Sequence, residues 1–238
     1  MRWFLCLLLV LFILTPKTHA ESDKSLIVDS AMCSKNNIYY CSIQEAIEDS
    51  DKGSKIQIKG DKYSERLRFD TNNSYLTLEP LDSAEVVISQ PADKFIQQPL
   101  VHIDGAKFIL IQDITFEDSS PCDEDYTTVV ITRNGKATFA NNRFVNKLNP
   151  EENINCVNKA GFAIGEGSTQ EETLLLYNLF RNYPTGVEVR SEKAVVSSVK
   201  NNYVGNKSST NNPVFKKGEN SFFKSIKDSI VSYNESLS

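Results

Sequence analysis

Beyond residue 20 the chain holds one histidine, His102, and four cysteines, Cys33, Cys41, Cys122 and Cys156. A zinc cage needs ligands at short repeated spacings, and neither a C-x-x-C pair nor a second histidine is present, so no metal site is assigned. An even number of cysteines in an exported chain suggests two disulfides with three connectivities. Cys33–Cys41 and Cys122–Cys156 are favoured because each pair brackets a short stretch. His102 alternates with Val101 and Ile103, which puts it on the outer face of a strand, and without a nucleophile motif it receives no catalytic role. The run from Glu117 to Asp125 is dense in the oxygen ligands calcium takes, but a charge run tied by a disulfide reads as a solvated loop. Asp113, Arg143, Glu166 and Arg190 are the charged residues that would form a carboxylate–arginine centre if one groove gathered them. Tyr177, Tyr183 and Tyr203 are the aromatics that could stack on sugar rings. Asn72, Asn206 and Asn234 open N-x-[ST] sequons, the acceptors for N-glycosylation. No catalytic residue and no cofactor are assigned.

The elements that would position these residues begin after a leader. Met1-Arg2 is followed by twelve apolar residues, Trp3 to Leu14, and by Thr18 and Ala20 as small residues before a cleavage point. Residues 1–20 are therefore read as a secretory signal peptide, since twelve residues rise only about 18 Å as a helix against a hydrocarbon core of about 30 Å. The protein is expected to be secreted, or periplasmic in a bacterium, with no membrane anchor and with 21–238 as a single domain. Losing Arg2 and Lys17 makes the remainder more acidic than the full chain's net charge of −5. That balance argues against nucleic acid and against anionic polymers such as unesterified pectin.

Ser42 and Glu45 stand at capping-box spacing, with Ile43, Ala46 and Ile47 on one face, so a short helix is expected over 41–50. From 55 to 204 short alternating apolar segments read as strands. They recur in sets of three: Val101–Ile103, Phe108–Leu110 and Ile114–Phe116 form one, and three further sets follow to Val204. The middle residues of the first strands, His102, Val130, Ala163 and Glu188, step by 25 to 33 residues. Asp113, Asn142, Asn178 and Asn201 precede the third strand of each set, where Asn can satisfy turn backbone and tolerate left-handed geometry. Three strands per repeat describe an all-β, single-stranded right-handed parallel β-helix, with inward side chains making one continuous core. Both ends of such a coil need covering. The 41–50 helix serves the first, and an amphipathic helix over 219–234, carrying Phe222, Ile226, Ile230 and Tyr233, serves the second.

Ser42-Ile43-Gln44-Glu45-Ala46-Ile47, then Ile56-Gln57-Ile58-Lys59-Gly60 with Tyr63-Ser64-Glu65, then Phe108 to Glu117, resemble segments of pectin-lyase-fold proteins, most nearly the pectinesterases. The resemblance covers about Cys41 to Gly165. It implies the β-helix and, by position, the absence of the family's catalytic set. Thr127 stands where the family has its transition-state glutamine. Leu148 and Asn149 stand where a second glutamine and the acid aspartate belong, and Gly161 where the nucleophile belongs. An ester hydrolase of that design needs one carboxylate to attack and one to protonate the leaving group. The expected function is thus a secreted, non-catalytic β-helix that binds an extended polymer, a polysaccharide, or an extracellular protein partner. A divergent polysaccharide hydrolase or lyase is the alternative.

Overall fold

The computed structural model describes residues 24–33, 38–91, 98–120, 127–148, 159–165 and 170–211. It opens with β1 (Ser25–Val28), β2 (Tyr39–Tyr40) and helix α1 (Ile43–Glu48). Six coils of three strands follow. They are β3 (Lys55–Ile58), β4 (Lys62–Ser64) and β5 (Leu67–Phe69); β6 (Thr77–Pro80), β7 (Val86–Ser89) and β8 (Val101–Asp104); β9 (Ile109–Gln112), β10 (Ile114–Asp118) and β11 (Thr127–Thr132). The later three are β12 (Lys136–Ala140), β13 (Arg143–Asn146) and β14 (Ala160–Ile164); β15 (Glu172–Leu176), β16 (Leu179–Arg181) and β17 (Thr185–Val189); β18 (Val195–Val199), β19 (Asn202–Val204) and β20 (Ser208–Asn211).

Each strand pairs with its counterpart in the next coil, always in parallel, and the result is three sheets. The first has eight strands, β18-β15-β12-β9-β6-β3-β1-β2; the second and third have six each, β19 to β4 and β20 to β5. This is the parallel β-helix that the repeats implied, and its coils continue past 204 to Asn211.

Parallel stacking in register turns the alternation of each strand into columns of like side chains. In the first sheet Ile56, Leu78, Ile111, Phe139 and Leu175 stack inward. In the second, Phe116, Phe144, Phe180 and Tyr203 make a continuous ring stack, with centroids 5.2, 4.7 and 5.2 Å apart and planes within 12°. Ring pairs of this kind add about 0.5–1.5 kcal/mol each beyond the area they bury.

The turn between the first and second sheets carries a second column. Asn142 Oδ1 accepts from the Ile114 N–H (3.0 Å), Asn178 Oδ1 from the Asn142 N–H (2.9 Å), and Asn201 Oδ1 from the Asn178 N–H (2.8 Å). Each amide also donates back into the preceding coil, to Ile111 O, Phe139 O and Leu175 O, all at 2.9 Å. The ladder thus satisfies backbone as expected, with two corrections. The register pairs Thr115 with Arg143, so Ile114, not Asp113, occupies the ladder position in that coil. The left-handed residues are those one step earlier, Asp113 (φ 58°), Asn141 (60°), Tyr177 (56°) and Lys200 (51°).

At the first end, α1 buries Ile43, Ala46 and Ile47. Ser42 caps it, its Oγ accepting from the Glu45 N–H at 3.3 Å, but the carboxylate partner is Glu65 rather than Glu45. Glu65 accepts from the Ile43 and Gln44 N–H groups (2.9 and 3.0 Å) and from Ser42 Oγ (2.6 Å). Gln44 then reaches the open edge of β5, accepting from the Arg68 N–H (2.8 Å) and donating to Arg68 O (3.4 Å). One glutamine side chain so imitates a neighbouring strand for that edge. Gly60 is required by close approach, since a Cβ there would lie 2.2 Å from Ala84 Cβ. Cys33–Cys41 is a disulfide beside β2, which fits an oxidising compartment. Residues 1–20, Cys122, Cys156 and the helix expected over 219–234 lie outside the described residues. No helix among the described residues is long and apolar enough to cross a membrane.

Candidate functional site

The outer face of the third sheet carries the strands that the resemblance links to catalysis. His102, Val130, Ala163 and Glu188 form one outward row, and Asp104 and Thr132 start the next. The Thr132 hydroxyl donates to Asp104 Oδ1 at 3.0 Å, so His102 Nε2, 3.1 Å from the same hydroxyl, is the donor in that contact. The Arg133 guanidinium binds both oxygens of Asp104. That contact, against the opposing effect of burial, holds the Asp104 carboxyl below its ordinary range. A carboxylate pinned this way is a weak base, and it leaves the Thr132 hydroxyl without a strong proton acceptor.

Three strands away, Arg190 Nε and Nη2 donate to Glu188 Oε2 (3.0 and 2.8 Å), and Nη2 also donates to Thr127 Oγ1 (2.8 Å). Asp104 on β8 and Glu188 on β17 are separated by three strand spacings, about 14 Å. Paired-carboxylate hydrolysis works at roughly 5–9.5 Å. Gly161 does not face this groove at all. A Cβ there would meet the Phe180 and Tyr183 rings at 3.1 and 3.2 Å, so the position projects inward.

The charged residues chosen from sequence are not brought together. Asp113 lies at the turn between the first and second sheets, accepting from Asn141 Nδ2 at 3.1 Å, and Arg143 opens β13 of the second sheet. Arg190 directly follows β17 of the third sheet, and Glu166 lies outside the described residues, as do Asn149 and Asn234. Leu148 offers only its N–H, to Asn146 Oδ1 (3.1 Å). In the acidic run, Glu117 bridges Lys62 and Lys147 (3.0 and 2.8 Å) while Asp118 turns inward. No group of three or more His, Cys, Asp or Glu gathers among the described residues. The Asn72 side chain is exposed, whereas Asn206 uses its amide on Phe180 O and the Tyr183 N–H (3.1 and 2.8 Å).

Of the three tyrosines only Tyr177 is exposed, with Lys200 Nζ 5.6 Å from its ring centre. Tyr183 is fully buried with its hydroxyl 2.9 Å from Thr128 Oγ1. Tyr203 closes the internal ring stack, and burial pushes its hydroxyl up to about 12. Tyr183 is a core residue, and Tyr203, partly buried, packs against the core.

The exposed aromatic ladder lies elsewhere, at the turn from the third sheet to the first. Tyr75 and Phe108 meet with centroids 4.8 Å apart and planes tilted by 31°, and Lys52 Nζ sits 4.0 Å over the Tyr75 ring. They are 38% and 55% exposed although both sit at positive φ, 66° and 58°. Bulky side chains pay for left-handed backbone with roughly 1–3 kcal/mol each, a strain that clusters at functional surfaces. The turn is tied by Tyr75 N–H donating to Lys107 O (2.8 Å) and Lys107 N–H donating to Ser74 Oγ (3.1 Å). Along the same edge Lys136 and Glu172 form an ion pair at 2.8 Å. The sequence held a signal for this pair. Tyr75-Leu76 and Phe108-Ile109 are adjacent apolar residues at the entry to a strand, and only one of each two can face inward.

No protein-family model matches the chain, and no curated protein matches it. Among solved structures it is similar to a crystal structure of a pectin methylesterase, an aspartate-to-alanine mutant in complex with hexasaccharide IV. The identity is 13% and the TM-score 0.45, over 80% of this chain and 67% of that one.

Proposed function

We propose that this protein is an exported β-helix that binds an extended neutral polysaccharide along its coil axis without turning it over. The observation that carries this reading is the Lys52–Tyr75–Phe108 ladder, two exposed rings in tilted contact along the axis and held outward by strained backbone. Exposed apolar ring surface suits the apolar faces of sugar rings, and a spacing set by the strands suits a ligand that is itself periodic. The wide separation of Asp104 from Glu188 supports binding over paired-carboxylate hydrolysis. Export is supported by the Cys33–Cys41 disulfide and by the leader-like residues 1–20.

One observation favours the enzyme reading: the His102–Thr132–Asp104 hydrogen-bond chain on the third sheet. Screening the purified protein on a glycan array, followed by product analysis on each bound glycan, separates the two. Binding without released product, weakened at least tenfold by Tyr75→Ala with Phe108→Ala, supports the proposal. Product formation abolished by His102→Ala or Thr132→Val puts the enzyme in its place.

A further inference from the structure

Where the chain turns from the second sheet to the third, a lysine, an asparagine and an aspartate meet in a dry site. Lys159 is 1% exposed, and Asp118 and Asn146 are fully buried. Lys159 Nζ lies 3.3 Å from Asn146 Oδ1 and 3.2 Å from Asp118 Oδ2, and donates to Ser120 O at 2.6 Å. Asp118 and Asn146 are partners on adjacent strands. Asn146 Nδ2 donates to Asn182 O at 2.9 Å, which orients its amide. Asp118 is held by the Ser120 N–H and hydroxyl (2.8 and 2.7 Å), with Thr128 Oγ1 at 3.4 Å between it and Tyr183.

A buried ion pair contributes little net stability, because desolvation offsets the attraction. Here burial pushes the Asp118 carboxyl up and the Lys159 ammonium down, both toward the uncharged forms. A lysine amine in contact with a carboxamide, beside a carboxyl group that can move protons, is the constellation for amide exchange.

We propose that Lys159 and Asn146 join in an intramolecular isopeptide bond, with Asp118 as the proton-transferring group. The Lys159 amine attacks Asn146 Cγ while Asp118 protonates the developing oxyanion. The new C–N bond forms, the carboxylate carries the proton from the attacking nitrogen to the departing one, and the old C–N bond breaks with release of ammonia as the carbonyl re-forms and its hydroxyl proton returns to Asp118. Nothing is oxidised or reduced, and Asp118 ends as it began. The bond ties the end of β13 to the start of β14 across a separation of 13 residues, at a turn that in the next coil takes only the step from Arg181 to Thr185. A covalent tie there removes the loop's freedom from the unfolded chain.

The test is a tryptic map of the purified folded protein after denaturation and reduction. The expected product is the peptide Phe144–Lys147 joined to 148–181, with Lys159 uncleaved and the sum lighter by one ammonia. Linear peptides cut after Lys159 overturn the proposal, and so does a link to Asp118 lighter by one water. Asp118→Asn, which preserves shape, should yield the linear peptides from protein of native circular dichroism. A bond formed equally well in that variant removes Asp118 from the reaction, whereas the wild-type map decides the bond itself however the variant folds.

Discussion

Replacing Asn178 by alanine isolates what the asparagine ladder contributes to the fold. Its Nδ2 donates to Phe139 O (2.9 Å) and Asn201 Oδ1 (3.0 Å), and its Oδ1 accepts from the Asn142 N–H (2.9 Å) and Nδ2 (3.2 Å). Asn142, Asn178 and Asn201 are at most 6% exposed, so water does not reach the groups that truncation would strand. Asn142 Nδ2 keeps its bond to Ile111 O, but the Asn142 N–H and Phe139 C=O lose their side-chain partner. Each buried group left unpaired costs about 1–3 kcal/mol, giving about 2–6 kcal/mol for the variant. For a domain of this size that lowers Tm by roughly 5–20 °C. Thermal and urea unfolding followed by far-UV circular dichroism measure it, with an unchanged m value required for the comparison. Asn141→Gly is the control. That residue is exposed at φ 60°, which glycine accepts freely, so its loss should stay within about 0.5 kcal/mol. Asn178→Ala within about 1 kcal/mol of wild type at equal m, or no less stable than Asn141→Gly, would refute the idea that the ladder satisfies buried backbone.

Phe144→Ala removes the ring between Phe116 and Phe180 and should cost about 3–5 kcal/mol in the same unfolding assay. Reducing Cys33–Cys41, which closes a separation of 8 residues, should cost about 2 kcal/mol, read as a lower Tm in reductant. Asp61 and Asp104 lie below their ordinary range, Asp61 through the Ser30 hydroxyl and Asp104 through Arg133. Glu117 is also lowered, Lys147 and Lys62 outweighing burial. A lowered carboxyl adds stability that is complete above its unfolded pKa and disappears as pH falls through the folded one, so Tm should drop below about pH 4. Asp104→Asn should make that acid decline shallower, and an unchanged pH profile would contradict the pairing with Arg133.

Much of the fold was legible because a parallel coil forces the same alternation on every turn. The strand sets from Val101 to Val204 carry inward residues at matching positions, and Asn142, Asn178 and Asn201 each precede a strand of the second sheet. The motif residues Gln44 and Glu65 were visible as a pattern, but not their partners. Glu65 caps a helix whose first residue lies 22 positions upstream and Gln44 closes a strand edge, contacts that exist only once the chain has turned once around the axis. The Asp113 misplacement has a similar cause. A left-handed residue and a ladder residue sit side by side at the turn, both favour Asx side chains, and pairing with the next coil alone distinguishes them.

Taken alone, the order of residues determined the repeat, the core columns and the polar turns, since these follow from side-chain periodicity that the chain carries locally. Which tyrosine faces solvent, how far apart the carboxylates stand and which three polar groups meet at Lys159 were decided only in three dimensions. Inter-coil register sets those distances, and a shift of one residue reverses every side chain from one face to the other.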